Sequence, residues 1–414
     1  MRSIFYAILF SFLLPLMGQS QSQKAALTVK DALNLALQNN PELNRVEEQI
    51  KIQESDLGLS WGIESPELFY YKEGIGGNSF SEKSYGISQS LAFPLTGYYR
   101  NRRAKLDVRK FEQLYAAERI RLRAEVKKAY TELAYSIKKI ELVESRVELA
   151  RELREIAQAR LEVGESTELD VIQADIQYTQ AENELREAEQ VKNNARYALF
   201  RVIGLDPDRQ EYSISFPDTL VYFDVEIDQQ MILTGLEEVP QIEAIQLNAE
   251  SAGKSIKTAK SGYLPDLRAD YYRQDFGSGF DFEGFEIGVS FPLWFGLNQS
   301  NRVKRAKAEQ RRAEWSVNET TLRVKERAEN AWHGYETSRN TIRSYREVIQ
   351  SRAFSLLELT REGYRLGELE LLRVLEAQRT FLSSEENYYR SLRNYYLQLI
   401  ELERFLPNEL VFKE

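Results

Sequence analysis

Apolar residues recur at helical spacing along two long stretches of the chain. From about Arg100 to Glu162 there is no proline and no glycine, and from about Asn301 to Gly363 only Gly334 interrupts. In the first stretch Leu122, Val126, Tyr130, Leu133, Ile137, Ile140 and Val143 follow at steps of three and four, with Arg, Lys and Glu between them. That is the narrow apolar seam of a helix packed as in a coiled coil. At 1.5 Å per residue, roughly 63 residues span about 95 Å. Each stretch stops at a glycine, Gly164 or Gly367, and a second helical pattern starts at once, running to about Phe200 or Phe405. Each pair therefore reads as a helical hairpin with a tight tip.

A shorter helix precedes each hairpin. Asn40 is placed as its cap and Pro41 at its first position, followed by Leu43, Val46, Ile50 and Leu57. The return helix of about 37 residues and this short one of about 20–25 together approach the long helix in length, which predicts that they stack end to end beside it. Between short and long helix, the pattern changes to alternation. Leu68–Tyr71 and Tyr85–Phe93 read as strands in the first half. In the second half Phe285, Ile287, Val289 and Phe291 alternate with Glu286, Gly288 and Ser290. The turns between strands, Glu73 to Ser84 and Asp275 to Gly284, are glycine-rich and polar.

The same signals occur twice in one order. Pro41-Glu42-Leu43 answers Pro240-Gln241-Ile242; Ser65-Pro66-Glu67-Leu68 answers Leu264-Pro265-Asp266-Leu267; Phe93-Pro94-Leu95 answers Phe291-Pro292-Leu293; Gly164-Glu165 answers Gly367-Glu368. The organisation expected is a signal peptide at 1–20, a first repeat at 21–205, a linker at 206–230, a second repeat at 231–407 and a tail at 408–414. Arg2, the apolar run Ile4 to Met17 and Gly18-Gln19-Ser20 carry the signal-peptide reading. Pro207, Tyr212, Phe216 and Pro217 mark the linker as non-helical.

Composition narrows the chemistry. The 414 residues contain no cysteine and one histidine, His333. Disulfides, thiolate nucleophiles and Cys-ligated metals are excluded, and His333 reads as a wall residue. The net charge of −9 gives no general attraction to nucleic acid. A mean hydropathy of −0.49 rules out a bundle of apolar membrane helices. No convergent catalytic set is present, so an enzyme is not expected. The four strands are too few to close a membrane barrel, and an open edge cannot face lipid. Three copies would supply twelve strands, with Phe285, Ile287, Val289 and Phe291 facing lipid and Glu286 and Ser290 facing water.

These residues resemble a known family. Leu27-Thr28, Ala32-Leu33, Ala36-Leu37 and Asn40-Pro41-Glu42-Leu43, then Ser88-Gln89-Ser90 with Phe93-Pro94-Leu95, then Gly164-Glu165 with Leu169, Val171 and Ala174, are similar to the TolC-like outer-membrane efflux proteins. Ser88-Gln89-Ser90 before Arg100–Arg103, and Phe291-Pro292-Leu293-Trp294 before Asn298-Gln299, resemble the heavy-metal branch, cobalt–zinc–cadmium and copper–silver. The missing cysteine departs from the lipidated members of that branch. The resemblance implies a mainly α fold with a small β part, assembled as a homotrimer with a twelve-stranded β-barrel on a helical-barrel tunnel. The implied protein is a passive exit duct through outer-membrane lipid, without cofactor, fed by a periplasmic adaptor (a membrane fusion protein) and an inner-membrane RND-type pump. It implies adaptor docking at the tips, Val163, Gly164, Glu165, Ser166 and Thr167 and Leu366, Gly367, Glu368, Leu369 and Glu370. It implies a pore gate at Asp170 and Gln173 and at Arg373 and Glu376, where Glu376 keeps an acid of the family pattern and Arg373 replaces the other. A duct for drugs or for one-step protein secretion, and an envelope coiled coil without a channel, stay open as alternatives. The basic cluster Arg100, Arg102, Arg103, Lys105, Arg109 and Lys110, with Arg302, Lys304, Arg305 and Lys307 as its counterpart, reads either as a solvated face or as a contact with lipid phosphates.

Overall fold

The computed structural model describes residues 27–74, 82–206, 220–277, 281–291, 293, 296 and 298–412. The signal segment, Pro207 to Pro217 of the linker, parts of both strand-to-strand turns, and Pro292 and Trp294 lie outside these residues.

The first helix among the described residues is α1 (Val29–Asn39), which the sequence reading did not assign. Thr28 and Asp31 form a reciprocal capping box at its start. Next is α2 (Pro41–Leu59), where the Asn40 side chain accepts hydrogen bonds from the Glu42 and Leu43 amides at 3.0 and 3.1 Å. Two strands follow, β1 (Glu67–Glu73) and β2 (Glu82–Leu91). The long helix α3 (Pro94–Glu162) has 69 residues and begins at the proline, six positions before Arg100. The expected strand to Phe93 ends at Leu91 instead, because Phe93 precedes a proline and becomes the extended N-cap of α3. The return helix is α4 (Glu168–Ile203).

The second half opens with α5 (Gln229–Gly235) and α6 (Pro240–Ser261). Strands β3 (Asp266–Asp275) and β4 (Asp281–Ser290) come next. Phe291, expected on β4, is the residue just past its end. The second long helix is not continuous. It comprises α7 (Asn298–Ser344), a π-helical turn (Tyr345–Ile349) and α8 (Gln350–Arg365), and it returns through α9 (Leu371–Leu402). Among the described residues no helix is long and apolar enough to cross a membrane.

Helix α3 packs against α2, α4, α6 and α9, and α7 packs against α6 and α9. The expected end-to-end stacking is visible where α4 meets α2. The Asn40 amide that caps α2 also donates to the Val202 carbonyl at 2.8 Å. Gly204, with φ +83°, sits against the Asn39 carbonyl.

Two cores lie at mid-height. One joins α1, α3 and α4 through Leu27, Leu122, Tyr130, Leu133, Leu199 and Ile203. The other joins α7, α9 and an extended strap over Leu220–Asp228. The strap is held by tyrosine hydroxyls: Tyr395 accepts from the Val225 amide at 3.2 Å and donates to the Phe223 carbonyl at 2.9 Å, and Tyr396 donates to the Val221 carbonyl at 2.9 Å. Hydrogen bonds from Arg339, at 2.6 Å, and Arg343 hold the Asp224 carboxyl well below its ordinary range. Because the folded value is depressed, this contribution is present at neutral pH and is lost as the pH falls through it.

Candidate functional site

The four strands form one antiparallel sheet in the order β1-β2-β3-β4. Among the described residues, β1 and β4 each leave one edge unpaired. The register fixes which side chains share a face. Leu68, Tyr70, Tyr85, Ile87, Leu91, Leu267, Ala269, Tyr271, Phe285, Ile287 and Val289 lie on one face. Most are exposed, Ile287 by 67% and Phe285 by 66%. Lys72, Lys83, Arg273, Asp275, Asp281 and Glu283 end this face at the hairpin turns. An apolar band of this kind, closed by aromatic and then charged side chains, suits a wall against lipid.

The opposite face is acidic. Among the described residues it carries Glu67, Glu73, Glu82, Asp266, Asp270 and Glu286 against a single cation, Arg268. Arg268 is already paired with Asp270 at 2.9 Å. Two carboxylate pairs stand directly opposite across the ladder, Glu73 with Glu82 and Asp270 with Glu286. Such like-charged pairs weaken a sheet. Tyr272 lies between Gly86 and Gly284 on the same face, and its ring covers Gly284 closely enough that any Cβ there would overlap it. At the foot of the sheet a cleft of about 810 Å³ is lined by Arg100 and Arg302 of the basic cluster and by Glu64 and Asp266. Elsewhere in that cluster Arg103 pairs with Asp107 and Arg102 lies over the Tyr98 ring.

At the other end of the molecule the two hairpin tips share one turn. Gly164 and Gly367 both have φ +79°, the left-handed conformation that glycine adopts without strain. The Glu165 amide bonds back to the Arg160 carbonyl and the Glu368 amide to the Gly363 carbonyl, each at 2.8 Å. These are the return bonds that close a helix end. Val163 and Leu366, the last residues before each glycine, are 71% and 63% exposed. The starts of the return helices differ. Thr167 caps α4 in a capping box with Asp170, and Ser166 also donates to Asp170 at 2.8 Å. Glu370 caps α9 without a side-chain bond, and Leu369 packs over Gly363 instead.

Asp170 is therefore engaged at its own helix start. Partial burial pushes its carboxyl up, but hydrogen bonds from the Ser166 hydroxyl and the Thr167 amide and hydroxyl outweigh this and hold it low. Gln173 is half-buried on the next turn. Arg373 and Glu376 are exposed and bonded to each other at 3.3 Å, an i,i+3 surface pair.

Sequence reasoning missed the contact that joins the two tips. The Arg160 guanidinium donates to the Tyr364 carbonyl at 2.7 Å and to the Glu165 carbonyl at 3.0 Å, and it lies 4.7 Å from the centre of the buried Tyr364 ring. Arg361 pairs with Glu152 nearby. A basic residue in the last turn of a helix is ordinary, so nothing in the sequence singled Arg160 out.

Comparison with known proteins agrees with this geometry. Residues 32–205 and 234–407 match the family described as Outer membrane efflux protein. The chain is 26% identical over 337 residues to the outer membrane protein TolC of Vibrio cholerae, covering 76% of this chain and 75% of that one. It is 23% identical over 394 residues to the cobalt-zinc-cadmium resistance protein CzcC of Cupriavidus metallidurans, covering 92% and 90%. Among solved structures, VceC from Vibrio cholerae matches with a TM-score of 0.78 at 19% identity over 91% of this chain and 95% of that one. CusC matches at 0.78 and 16% identity over 91% of each chain. The chain belongs to the outer membrane efflux protein family, a duplicated, mainly helical fold with a small antiparallel sheet, placed in the outer membrane with a helical periplasmic extension.

Proposed function

We propose that three copies close their sheets into one twelve-stranded barrel above a helical tunnel, and that the assembly is the passive exit duct of a tripartite efflux system for cations, heavy-metal cations first among them. The observation that carries this reading is the open sheet with one apolar and one acidic face. In lipid, both free edges need partners. Joining β4 of one copy to β1 of the next satisfies them in an antiparallel ladder and turns all the acidic faces toward the bore. The exposed tips, Val163 to Thr167 and Leu366 to Glu370, then meet a periplasmic adaptor linked to an inner-membrane pump. The helix starts that carry Asp170, Gln173, Arg373 and Glu376 ring the narrow end. The pump supplies the energy, and the duct lowers the electrostatic cost of moving a positive charge through its wall. Similarity to CzcC supports the metal cargo. Among the described residues no group of three or more His, Asp or Glu side chains is placed to hold a metal ion, so the reading assigns transport to a hydrated ion attracted by wall charge rather than to a chain of ligands.

The test is a reversal potential in planar bilayers under a potassium chloride gradient. The native protein is expected to favour potassium over chloride, as expected of a pore lined by carboxylates. The variant Glu67→Gln, Glu82→Gln, Asp266→Asn, Glu286→Gln is expected to lose most of that preference while keeping its conductance. Glu376→Gln is expected to take a smaller share. An unselective native pore, or one that favours anions, contradicts the cation reading.

A further inference from the structure

Near the sheet, both long helices start basic. Residues 100–110 of α3 and 302–312 of α7 each carry six cations against one acid, in the same positions 202 residues apart, with Asp107 answering Glu309. The chain as a whole is acidic, at −9, so this charge is local. Helical period sorts it onto two faces. On α3, Arg100, Arg103, Asp107 and Lys110 share one face. Arg103 and Lys110 pair with Asp107 at 3.5 and 3.3 Å, and Asp107 accepts from Ser251 of α6 at 2.8 Å. On α7 the same face holds Arg305, paired with Glu309 at 2.9 Å. A cleft across α2, α3, α6 and α7 opens on this side between Gln53, Asp107, Ser251 and Glu309. Arg100 and Arg302 line the cleft at the foot of the sheet together with Asp266 and Arg268 of its acidic face. This helix face therefore continues the acidic side of the sheet.

The opposite face continues the apolar side. On α3 it carries Leu95, Tyr98, Arg102, Lys105 and Arg109 at spacings of three and four. Leu95 and Tyr98 are exposed, and Arg102 lies 5.6 Å from the centre of the Tyr98 ring. Lys304, Lys307 and Arg311 hold the equivalent face of α7. All six cations are exposed, and among the described residues Lys105, Arg109, Lys304, Lys307 and Arg311 form no ion pair. Surface cations further along the same helices do find acids, as Arg121 does with Glu118 and Arg323 with Glu319. Helix α6, packed against both α3 and α7, adds the exposed Lys257 and Lys260 at this height, with Lys257 5.7 Å from the Tyr99 ring. The basic row ends at an acid on both long helices, Glu112 and Glu314. From Arg102 to Arg109 the helix rises about 10 Å. A headgroup layer is roughly 5–8 Å deep on each side of a bilayer, and long basic side chains reach across the difference. The Asn101 amide bonds to Ser60 at the end of α2, which brings Glu54 and Asp56 to the same height. The cations therefore form stripes rather than a closed collar.

We propose that this outward row binds the phosphates of anionic phospholipids in the periplasmic leaflet and so sets the depth at which the sheet sits in the membrane. A row of unpaired cations one turn below an interfacial tyrosine matches a surface of lipid phosphates. Such binding requires the outer-membrane placement and the apolar face of the sheet, but neither the trimer nor a cargo. The protein is purified from micelles containing equal amounts of phosphatidylglycerol and zwitterionic phosphatidylcholine, and the two retained lipids are quantified by mass spectrometry. The native protein is expected to retain phosphatidylglycerol in excess at 0.1 M sodium chloride and to lose the excess at 1 M, where the screening length is about 3 Å. Each cation near an anionic surface is worth about fivefold in binding. The variant Lys105→Gln, Arg109→Gln, Lys307→Gln, Arg311→Gln is therefore expected to lower the ratio by more than about tenfold. The variant Arg100→Gln, Arg302→Gln, Arg305→Gln, Arg312→Gln removes the same charge from the other face and is expected to leave the ratio within about twofold. Taken singly, the α3 pair and the α7 pair of the outward row are each expected to lower the ratio at least about threefold, which decides the matter if the fourfold variant does not fold. No excess of phosphatidylglycerol on the native protein, an unchanged ratio in the outward variants, or equal losses from the two faces each overturn the proposal. Inorganic phosphate in place of chloride at equal ionic strength is expected to leave the ratio unchanged; a fall would mark a site for free phosphate and overturn the lipid assignment.

Discussion

Replacing Lys127 with alanine is expected to destabilise the protein by about 3–5 kcal/mol, because it leaves the largely buried Glu403 carboxylate without its cation. Lys127 sits on α3, is 1% exposed and lies where the two cores meet. Its ammonium donates to Glu403 at 2.9 Å and to the Val411 carbonyl at 3.0 Å. The other Glu403 oxygen accepts from the Leu410 and Val411 amides at 2.6 and 2.7 Å. The segment after α9 is thereby pinned to α3, with Val411 fully buried and Phe412 between Tyr130 and Tyr396. Thermal unfolding in detergent, with proteolysis of the C-terminal segment alongside, measures the effect. Lys127→Met with Glu403→Gln is expected to recover part of the loss, since an apolar replacement of a buried ion pair is far less costly than half of one. A loss below about 1 kcal/mol in the alanine variant would place the pair among weak surface bridges instead.

Gly204→Val is expected to do comparable damage by a different route. A β-branched residue held in the left-handed region costs about 1–3 kcal/mol. The added Cβ would also overlap the Asn39 carbonyl and displace the cap that joins α4 to α2. Gly164→Val is the control. Its φ is nearly the same, but a Cβ there meets nothing within 4 Å, so only the backbone term applies. The difference in melting temperature between the two variants measures the end-to-end junction. Equal losses would mean that the junction carries no stability of its own.

The parts of the fold that showed in the sequence are those with repeated local signals. The long helices were legible because proline and glycine are absent over most of their length and return at Gly164 and Gly367, where a left-handed residue is required. The faces of the sheet were legible in the alternation around Ile287. Phe93 and Phe291 continue that alternation, yet both fall outside the strands; at Phe93 a proline follows and the chain enters α3. The Thr28 and Asp31 capping box was readable, and α1 could have been assigned from it. Lys127 was not readable, since Lys128 beside it looks the same in sequence and only the fold buries one and leaves the other partly exposed. The π-turn leaves no local mark either. Of the gate residues, Asp170 carried a charge that could be read, but its part in the capping box with Thr167 depends on the turn geometry that Gly164 sets.

Native mass spectrometry of the detergent-extracted protein tests the shared barrel most directly. A single species of three chains is expected, because three four-stranded sheets leave no edge unpaired. A species of one chain, or a ladder of masses with no closed number, would contradict it.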